Sequence, residues 1–218
     1  MAAAAIFDLD GVLMDSEPLW NAAKEALVRD AGGNWRDDAP GAMMGMSSPE
    51  WSAYLRDELG VPLDAEAINR EVVRRMDEGY RRSLPLLPGA GEAVRALADR
   101  WPLGLASSSN REVIDLVLEL AGFGDLFRFT VSSEEVERGK PAPDVYLAAA
   151  RGLGVEPAGC VAIEDSSNGL RSAAAAGMAV IAVPNPHYPP EPDALALAAA
   201  TVPTVGDVTP ALVEDVGD

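Results

Sequence analysis

The sequence predicts an α/β protein, a doubly wound parallel sheet with a small helical domain inserted after its first strand. Short β-type runs recur at 4–8, 102–107, 127–132, 160–164 and 179–183. Most are continuously apolar, the pattern of strands covered on both faces. Helical patterns follow the later runs: NREVIDLVLELAG, PDVYLAAARGLG and SSNGLRSAAAAGM. Strand and helix in alternation give a parallel sheet. The first two runs break this rhythm, with more than ninety residues between them.

That interval reads as helices. PLWNAAKEALVRDAGG comes first, then SPEWSAYLRDELG, then DAEAINREVVRRMDEGYRRS, after which PLLPG turns the chain into a further helix, GEAVRALADR. The core is therefore assigned to 1–14 and 85–218 and the helical insertion to 15–84, placed over the end of the first strand. Asp15 and the segment 85–89 are the candidate hinges. Near the C-terminus PNPHYPPEPD is too rich in proline for regular structure and reads as an extended loop. His187, the only histidine, lies in it with no nucleophile the sequence can pair with it, and reads as a surface residue.

At 218 residues and 48% apolar content the chain can bury a sizeable core. Its net charge of −18 repels nucleic acid and anionic membranes, so neither is expected as a partner. An acidic protein that binds an anion must gather positive charge locally, from a metal, a lysine or helix N-termini. A single cysteine, Cys160, excludes an internal disulfide and points to a reducing compartment. The apolar MAAAAIF lacks a basic flank and is interrupted by Asp8, unlike a signal peptide. No run reaches the roughly 20 apolar residues of a membrane span. A cytoplasmic protein is the expectation.

The first run leads into FDLDG. Residues two apart in a strand point the same way, so Asp8 and Asp10 project from one side at its C-terminal end, until the chain turns. Ligands of open α/β sheets bind at that end. Two carboxylates so close persist if a cation sits between them or if they share a proton; the alternative is an ordinary tight turn at Asp-Gly. The second run ends in SSSN, where Ser107 offers a hydroxyl and a backbone N–H beside a helix start suited to phosphate. Ser109 or Asn110 is the expected cap of that helix. The fourth run ends in IEDSSNG and brings Glu164 and Asp165, a second acidic pair, although Asp165 is also a candidate cap. Lys140, in RGKPAPD, is one of only two lysines; the other, Lys24, falls in the insertion. A lysine is a compact point charge suited to a phosphate or a carboxylate, and Pro141 and Pro143 stiffen the backbone behind Lys140.

FDLDGV, LASSSN, GKPAPD and IEDSSNG, in this order and at these strand ends, resemble the four motifs of the haloacid dehalogenase superfamily of phosphohydrolases, over essentially the whole chain. The resemblance implies a Rossmann-like core, with an insertion similar to the helical cap of the subgroup containing β-phosphoglucomutase and small sugar-phosphate phosphatases. It implies that Asp8 attacks phosphorus to give an aspartyl-phosphate, and that Asp10 acts first as general acid and then as base. It implies Mg²⁺ as cofactor, held by Asp8, the backbone carbonyl of Asp10 and Asp165, with Glu164 assisting directly or through water. Ser107 and the N–H of Ser108 would bind phosphoryl oxygens, and Lys140 would neutralise Asp8 and the transferring group. The implied partner is a small phosphorylated metabolite, a sugar or sugar-alcohol phosphate. A monomer is the default for an enzyme whose insertion covers its own site.

Within that resemblance Asp10 selects phosphate-ester chemistry, because dehalogenating members do not use a second aspartate with a metal. β-Phosphoglucomutases carry an arginine just after the glycine of the cap's substrate loop and a histidine in the first cap helix. Here the corresponding stretches are GMSSPEW and DSEPLWNAA, with Ser47 or Ser48 at the first place and Trp20 at the second. A mutase must hold a second, non-reacting phosphate, and this loop lacks the cation to do so. A phosphatase is therefore the expectation and a mutase the alternative. A binding protein that had lost catalysis would have replaced the nucleophile or the acid, whereas Asp8, Asp10, Lys140 and Asp165 are all present. DSEPLW also resembles hexitol-phosphate and 2-deoxyglucose-6-phosphate phosphatases. Trp20, Met44 and Met46 are the candidate lining of the substrate pocket, with helix packing the other role open to them.

Overall fold

The computed structural model describes residues 1–43 and 46–218. Among the described residues six strands form one sheet: β1 (Ala4–Phe7), β2 (Leu103–Ser107), β3 (Phe127–Ser132), β4 (Cys160–Glu164), β5 (Ala179–Ala182) and β6 (Ala200–Thr201). Every pairing is parallel. The five runs expected as strands are strands, to within a residue at each end. The sixth, two residues long, carries no apolar run of its own and was not anticipated.

Among the described residues four helices lie between β1 and the segment leading to β2: α1 (Glu17–Asp30), α2 (Ala39–Ala42), α3 (Ser48–Asp57) and α4 (Ala65–Arg82). They are followed by α5 (Ala90–Ala98), and after β2 by α6 (Arg111–Ala121), α7 (Asp144–Leu153), α8 (Ser167–Ala175), α9 (Pro192–Leu195) and α10 (Pro210–Val216). No helix among the described residues is long and apolar enough to cross a membrane.

The order of the strands fixes where a ligand can sit. It is β3-β2-β1-β4-β5-β6, so the chain builds outward from β1 on one side and then returns to lay β4 against its other side. Open sheets bind ligands beyond the carboxyl ends of the strands at this reversal. The register runs from Ala4 beside Cys160 to Phe7 beside Ile163. The next residues, Asp8 and Glu164, are thereby delivered together at the crevice, and the Asp8 N–H donates to the Ile163 carbonyl at 3.0 Å.

Strand alternation sets the two core layers. Ala5 and Phe7 face the apolar cluster that includes Val94 of α5, Ile114 of α6 and Val213 of α10, while Ala4 and Ile6 face the cluster of Val145 and Ala149 of α7 with Leu170 of α8. Asp8 continues the parity of Ala4 and Ile6, toward α7 and α8. The first cluster extends through Leu9, Val12, Leu13 and Met14 into the helices α1, α3 and α4. Ile68, Val72, Met76 and Tyr80 of α4, four residues apart, make its buried stripe, and Asp64 caps the helix by accepting from the Ala67 N–H at 2.7 Å.

The chain crosses between sheet and inserted helices twice, and the crossings lie side by side. The Asp15 N–H donates to the Pro85 carbonyl at 2.8 Å, the Leu87 N–H donates to Leu13 at 2.9 Å, and Met14 bridges Leu86. The two expected hinge segments are thus paired with each other. His187 is exposed in its proline-rich loop, and Cys160 is buried and free.

Phe7, the last residue of β1 before the acidic pair, is completely buried and meets Phe127 edge-on at 6.0 Å between ring centroids. Replacing it with alanine should lower the unfolding free energy by about 3–5 kcal/mol. Urea denaturation should show an earlier midpoint with an unchanged slope; a loss below about 1 kcal/mol would contradict this packing.

Candidate active site

Four acidic side chains and one lysine meet where β1 and β4 end. Asp8, Asp165 and Lys140 are 9% exposed or less and Glu164 is completely buried. Lys140 Nζ lies 2.9 Å from Asp8 Oδ1 and 2.6 Å from Glu164 Oε1. Burial alone would lower the lysine's pKa, but the two carboxylates overcome it and hold the ammonium above its ordinary value. Asp8 responds oppositely. Burial raises its carboxyl to about 7, against the pull of Lys140 and with the repulsion of Glu164 and Asp10. Asp165 is likewise pushed well up by burial and by Glu164 and Asp8.

Glu164 is the anchor of this group. Its Oε1 accepts from Lys140 and from the Tyr146 hydroxyl at 2.9 Å; its Oε2 accepts from the N–H groups of Asp165 at 3.0 Å and Ser166 at 3.3 Å and from the Ser166 hydroxyl at 3.3 Å. A carboxylate offers about four lone-pair sites, so little capacity is left on it for a metal. Ser166, and not Asp165, caps α8, accepting from the Gly169 N–H at 3.1 Å. Asp165 is left free to face the cavity.

Oxygen atoms of Asp8, Glu164 and Asp165 lie within 4.8 Å of one another, and Asp8 Oδ1 receives no well-directed hydrogen bond despite its ion pair. Three buried carboxylates against one ammonium leave an excess of negative charge that hard oxygen donors pass to a small divalent cation. The residues present therefore fit Mg²⁺. Gly11 shapes the same corner. Its φ of +78° suits glycine, and a Cβ there would lie 1.9 Å from Asp165 Oδ2. The glycine of FDLDG is both the tight turn and the space Asp165 occupies.

Asp10 points away from Lys140. Its Oδ1 accepts from the Ser16 hydroxyl and from Trp20 Nε1 at 3.3 Å, and its Oδ2 from the Ser109 hydroxyl at 2.5 Å and, more distantly, Ser107 at 3.5 Å. The turn after Leu9 separates the two aspartates that strand parity would have kept together. Ser107 is fully buried, its hydroxyl also accepting from the Ser109 N–H at 3.0 Å. Ser108, with Ser109 and Asn110, lines the open cavity. Of the two expected caps of α6, Asn110 is the N-cap residue, but its side chain makes no capping hydrogen bond. Ser109 is engaged by Asp10, and Asn110 stands at the cap position with its amide donating to Asn69 of α4 at 3.0 Å and to Glu134 at 2.7 Å. That amide ties the inserted helices to the sheet.

The cavity has a volume of about 470 Å³ and is lined by Asp8, Asp10, Lys140 and Asp165 on the sheet side and by α1 and its neighbours on the other. Trp20 and Met46 line it as expected, and Met43 joins them; Met44 lies outside the described residues. Ser47 does not face a ligand: its N–H and hydroxyl both donate to Glu50 at the start of α3.

Sequence reasoning missed several lining residues. Glu17, Asn21 and Lys24 of α1 share the face of Trp20, a spacing of three and four that the sequence displays. Asn185 and Tyr188, from the proline-rich loop, also line the cavity, and no local pattern announces them.

A buried carboxylate on a lysine, a second on hydroxyl donors, and a third aimed into the same crevice define an acidic hydrolytic centre on a Rossmann-like sheet. Residues 2–177 match the family model of haloacid dehalogenase-like hydrolases, and the chain belongs to that family. It is 38% identical over 195 residues to hexitol phosphatase B of Escherichia coli strain K12, covering 87% of this chain and 86% of that one. It is 33% identical to the fructose-1-phosphate phosphatase YqaB of the same organism, covering 83% and 96%. The crystal structure of CbbY from Rhodobacter sphaeroides in complex with phosphate superposes with a TM-score of 0.87 at 25% identity, covering 98% of this chain and all of the other.

Gly169 makes the anchor possible, since a Cβ there would lie 1.8 Å from Glu164 Oε1. Gly169→Ala should therefore destabilise the protein by about 1–3 kcal/mol or more. Gly124→Ala, where nothing lies within 4 Å of a new Cβ, should stay within about 0.5 kcal/mol. Equal midpoints for the two variants in chemical denaturation would contradict the fit described for Glu164.

Proposed function

We propose that this chain is a phosphoric monoester hydrolase acting on small phosphorylated sugars or sugar alcohols. The observation that carries the reading is the division of labour between the two aspartates: Asp8 buried against Lys140, Asp10 turned to hydroxyl and indole donors at the cavity. Asp8 attacks phosphorus as the ester P–O bond breaks, giving an aspartyl-phosphate. Asp10 gives its proton to the leaving oxygen, then takes one from the water that cleaves the acyl phosphate and restores Asp8. Lys140 offsets the charge of Asp8 and of the transferring group. Ser108, which lines the cavity, is suited to the phosphoryl oxygens, while Ser107 lies buried behind it with its hydroxyl between Asp10 and the Ser109 N–H.

Asp8, Asp165 and the backbone carbonyl of Asp10 would hold Mg²⁺, which when bound neutralises the carboxylates and polarises a phosphoryl oxygen. Glu164, with its oxygens engaged, serves as the anchor of Lys140 and of the loop bearing Asp165. The inserted helices, 15–84, act as the cap over this centre. Support for a sugar or polyol leaving group comes from the hexitol and fructose-1-phosphate phosphatases among the relatives. Hydrolysis is favoured over a mutase reaction because a serine, Ser47 or Ser48, stands where a mutase would place a cation, and Ser47 is spent on Glu50.

Wild-type protein with Mg²⁺ should release phosphate from p-nitrophenyl phosphate, lose that activity in EDTA, and lose at least about a thousandfold in kcat on Asp8→Asn. No release from a broad panel of phosphate esters would sink the reading. With β-glucose 1-phosphate the products should be glucose and inorganic phosphate; glucose 6-phosphate would point to the mutase.

A further inference from the structure

Both of the chain's lysines line the cavity, and the proposed reaction uses only one of them. In a protein that relies on arginine everywhere else, the second, Lys24, stands on the face of α1 that carries Glu17, Trp20 and Asn21. It is 7% exposed. Its Nζ lies 5.3 Å from the ring centroid of Trp20 and 5.1 Å from that of Trp51. Two indoles hold the ammonium by cation–π attraction, which needs no carboxylate partner. The lysine ion pairs among the described residues are those of Lys140 alone. Burial lowers the Lys24 pKa to about 8, with Glu17 and Asp10 acting against that, so the side chain still carries its proton at neutral pH.

We propose that Lys24 is a specificity residue that donates hydrogen bonds to the leaving group, and that with Glu17 and Asn21 it selects esters of neutral polyhydroxylated chains over esters bearing a second anion. The inference rests on the phosphatase reading. Its physical basis is the charge around Lys24. Glu17 shares its helix face and Asp10 is the next carboxylate, while the remaining cation of the lining, Arg171, is bound to Glu191 and Asp193. A second phosphate placed here would meet one ammonium and two carboxylates. A hydroxyl both donates and accepts, so vicinal hydroxyls satisfy Lys24, Asn21 and Glu17 together. Lysine suits this better than arginine because its three donors sit on one small centre and rotate to follow the ligand.

The test is the steady-state kinetics of wild type and Lys24→Met on sorbitol 6-phosphate, fructose 1,6-bisphosphate and p-nitrophenyl phosphate. Methionine keeps an unbranched chain between the two indoles. Wild type should favour sorbitol 6-phosphate over the bisphosphate at least about tenfold in kcat/KM. Lys24→Met should reduce the ratio of kcat/KM for sorbitol 6-phosphate to that for p-nitrophenyl phosphate about ten- to a hundredfold, mainly through KM, the size of one charge-assisted hydrogen bond. An unchanged ratio overturns the inference, because a packing role moves both substrates alike. So does a wild-type preference for the bisphosphate, which would make Lys24 an anion site. Lys24→Arg provides the same ratio should the methionine variant not fold, with a fall of smaller size expected and an unchanged ratio again contrary. Hydrolysis of p-nitrophenyl phosphate without sorbitol 6-phosphate overturns this inference and leaves the phosphatase standing; hydrolysis of neither overturns both.

Discussion

The site depends on one buried ammonium between two buried carboxylates. Lys140 is 2.9 Å from Asp8 and 2.6 Å from Glu164, in a region almost closed to water. Such a charge survives burial only when fully partnered, and the fold around it supplies those partners one by one. Parallel pairing of β1 with β4 sets Asp8 beside Glu164; Tyr146 of α7 and the first N–H groups after β4 complete the Glu164 shell. Gly169 yields the volume that the carboxylate fills, and Gly11 yields that of Asp165. Three buried carboxylates still face a single ammonium, and that excess of negative charge is what the acidic crevice offers to a divalent cation.

Much of the fold was legible because its signals are local. Five strands announced themselves as apolar runs, and the long interval between β1 and β2 read as a succession of helices. β6 escaped because two residues carry no pattern, and its position depends on pairing with β5. The motif residues were legible at strand ends, since topology alone sends those ends to one crevice. Side-chain direction beyond a turn was not. Strand parity would have sent Asp8 and Asp10 the same way, yet the turn after Leu9 gives one to Lys140 and the other to Ser16, Trp20 and Ser109. The resemblance left Glu164 to assist the metal directly or through water, and a sequence does not show the five donors that surround its carboxylate. Lys24 was visible as a rare residue, but its place between Trp20 and Trp51 depends on how α1 meets α3.

The inserted helices do more than cover the crevice. Trp20 of α1 donates to Asp10, and Asn69 of α4 accepts from Asn110 at the start of α6, so the insertion touches both the candidate proton carrier and the candidate phosphate loop. The two crossings that carry the chain into and out of the helices are hydrogen-bonded to each other, which concentrates any relative movement in one narrow pair of segments. On the proposed reading, substrate selection and proton transfer share one helix, since α1 bears both Lys24 and the indole that donates to Asp10.

The central claim is that Asp8, primed by Lys140, carries the phosphoryl group. Acid quench during turnover of p-nitrophenyl phosphate, followed by mass spectrometry of the digested protein, reads this directly. The account predicts one phosphoryl group on the peptide containing Asp8, absent from the Asp8→Asn variant. Turnover with no modified peptide, or with the group on another residue, would contradict it.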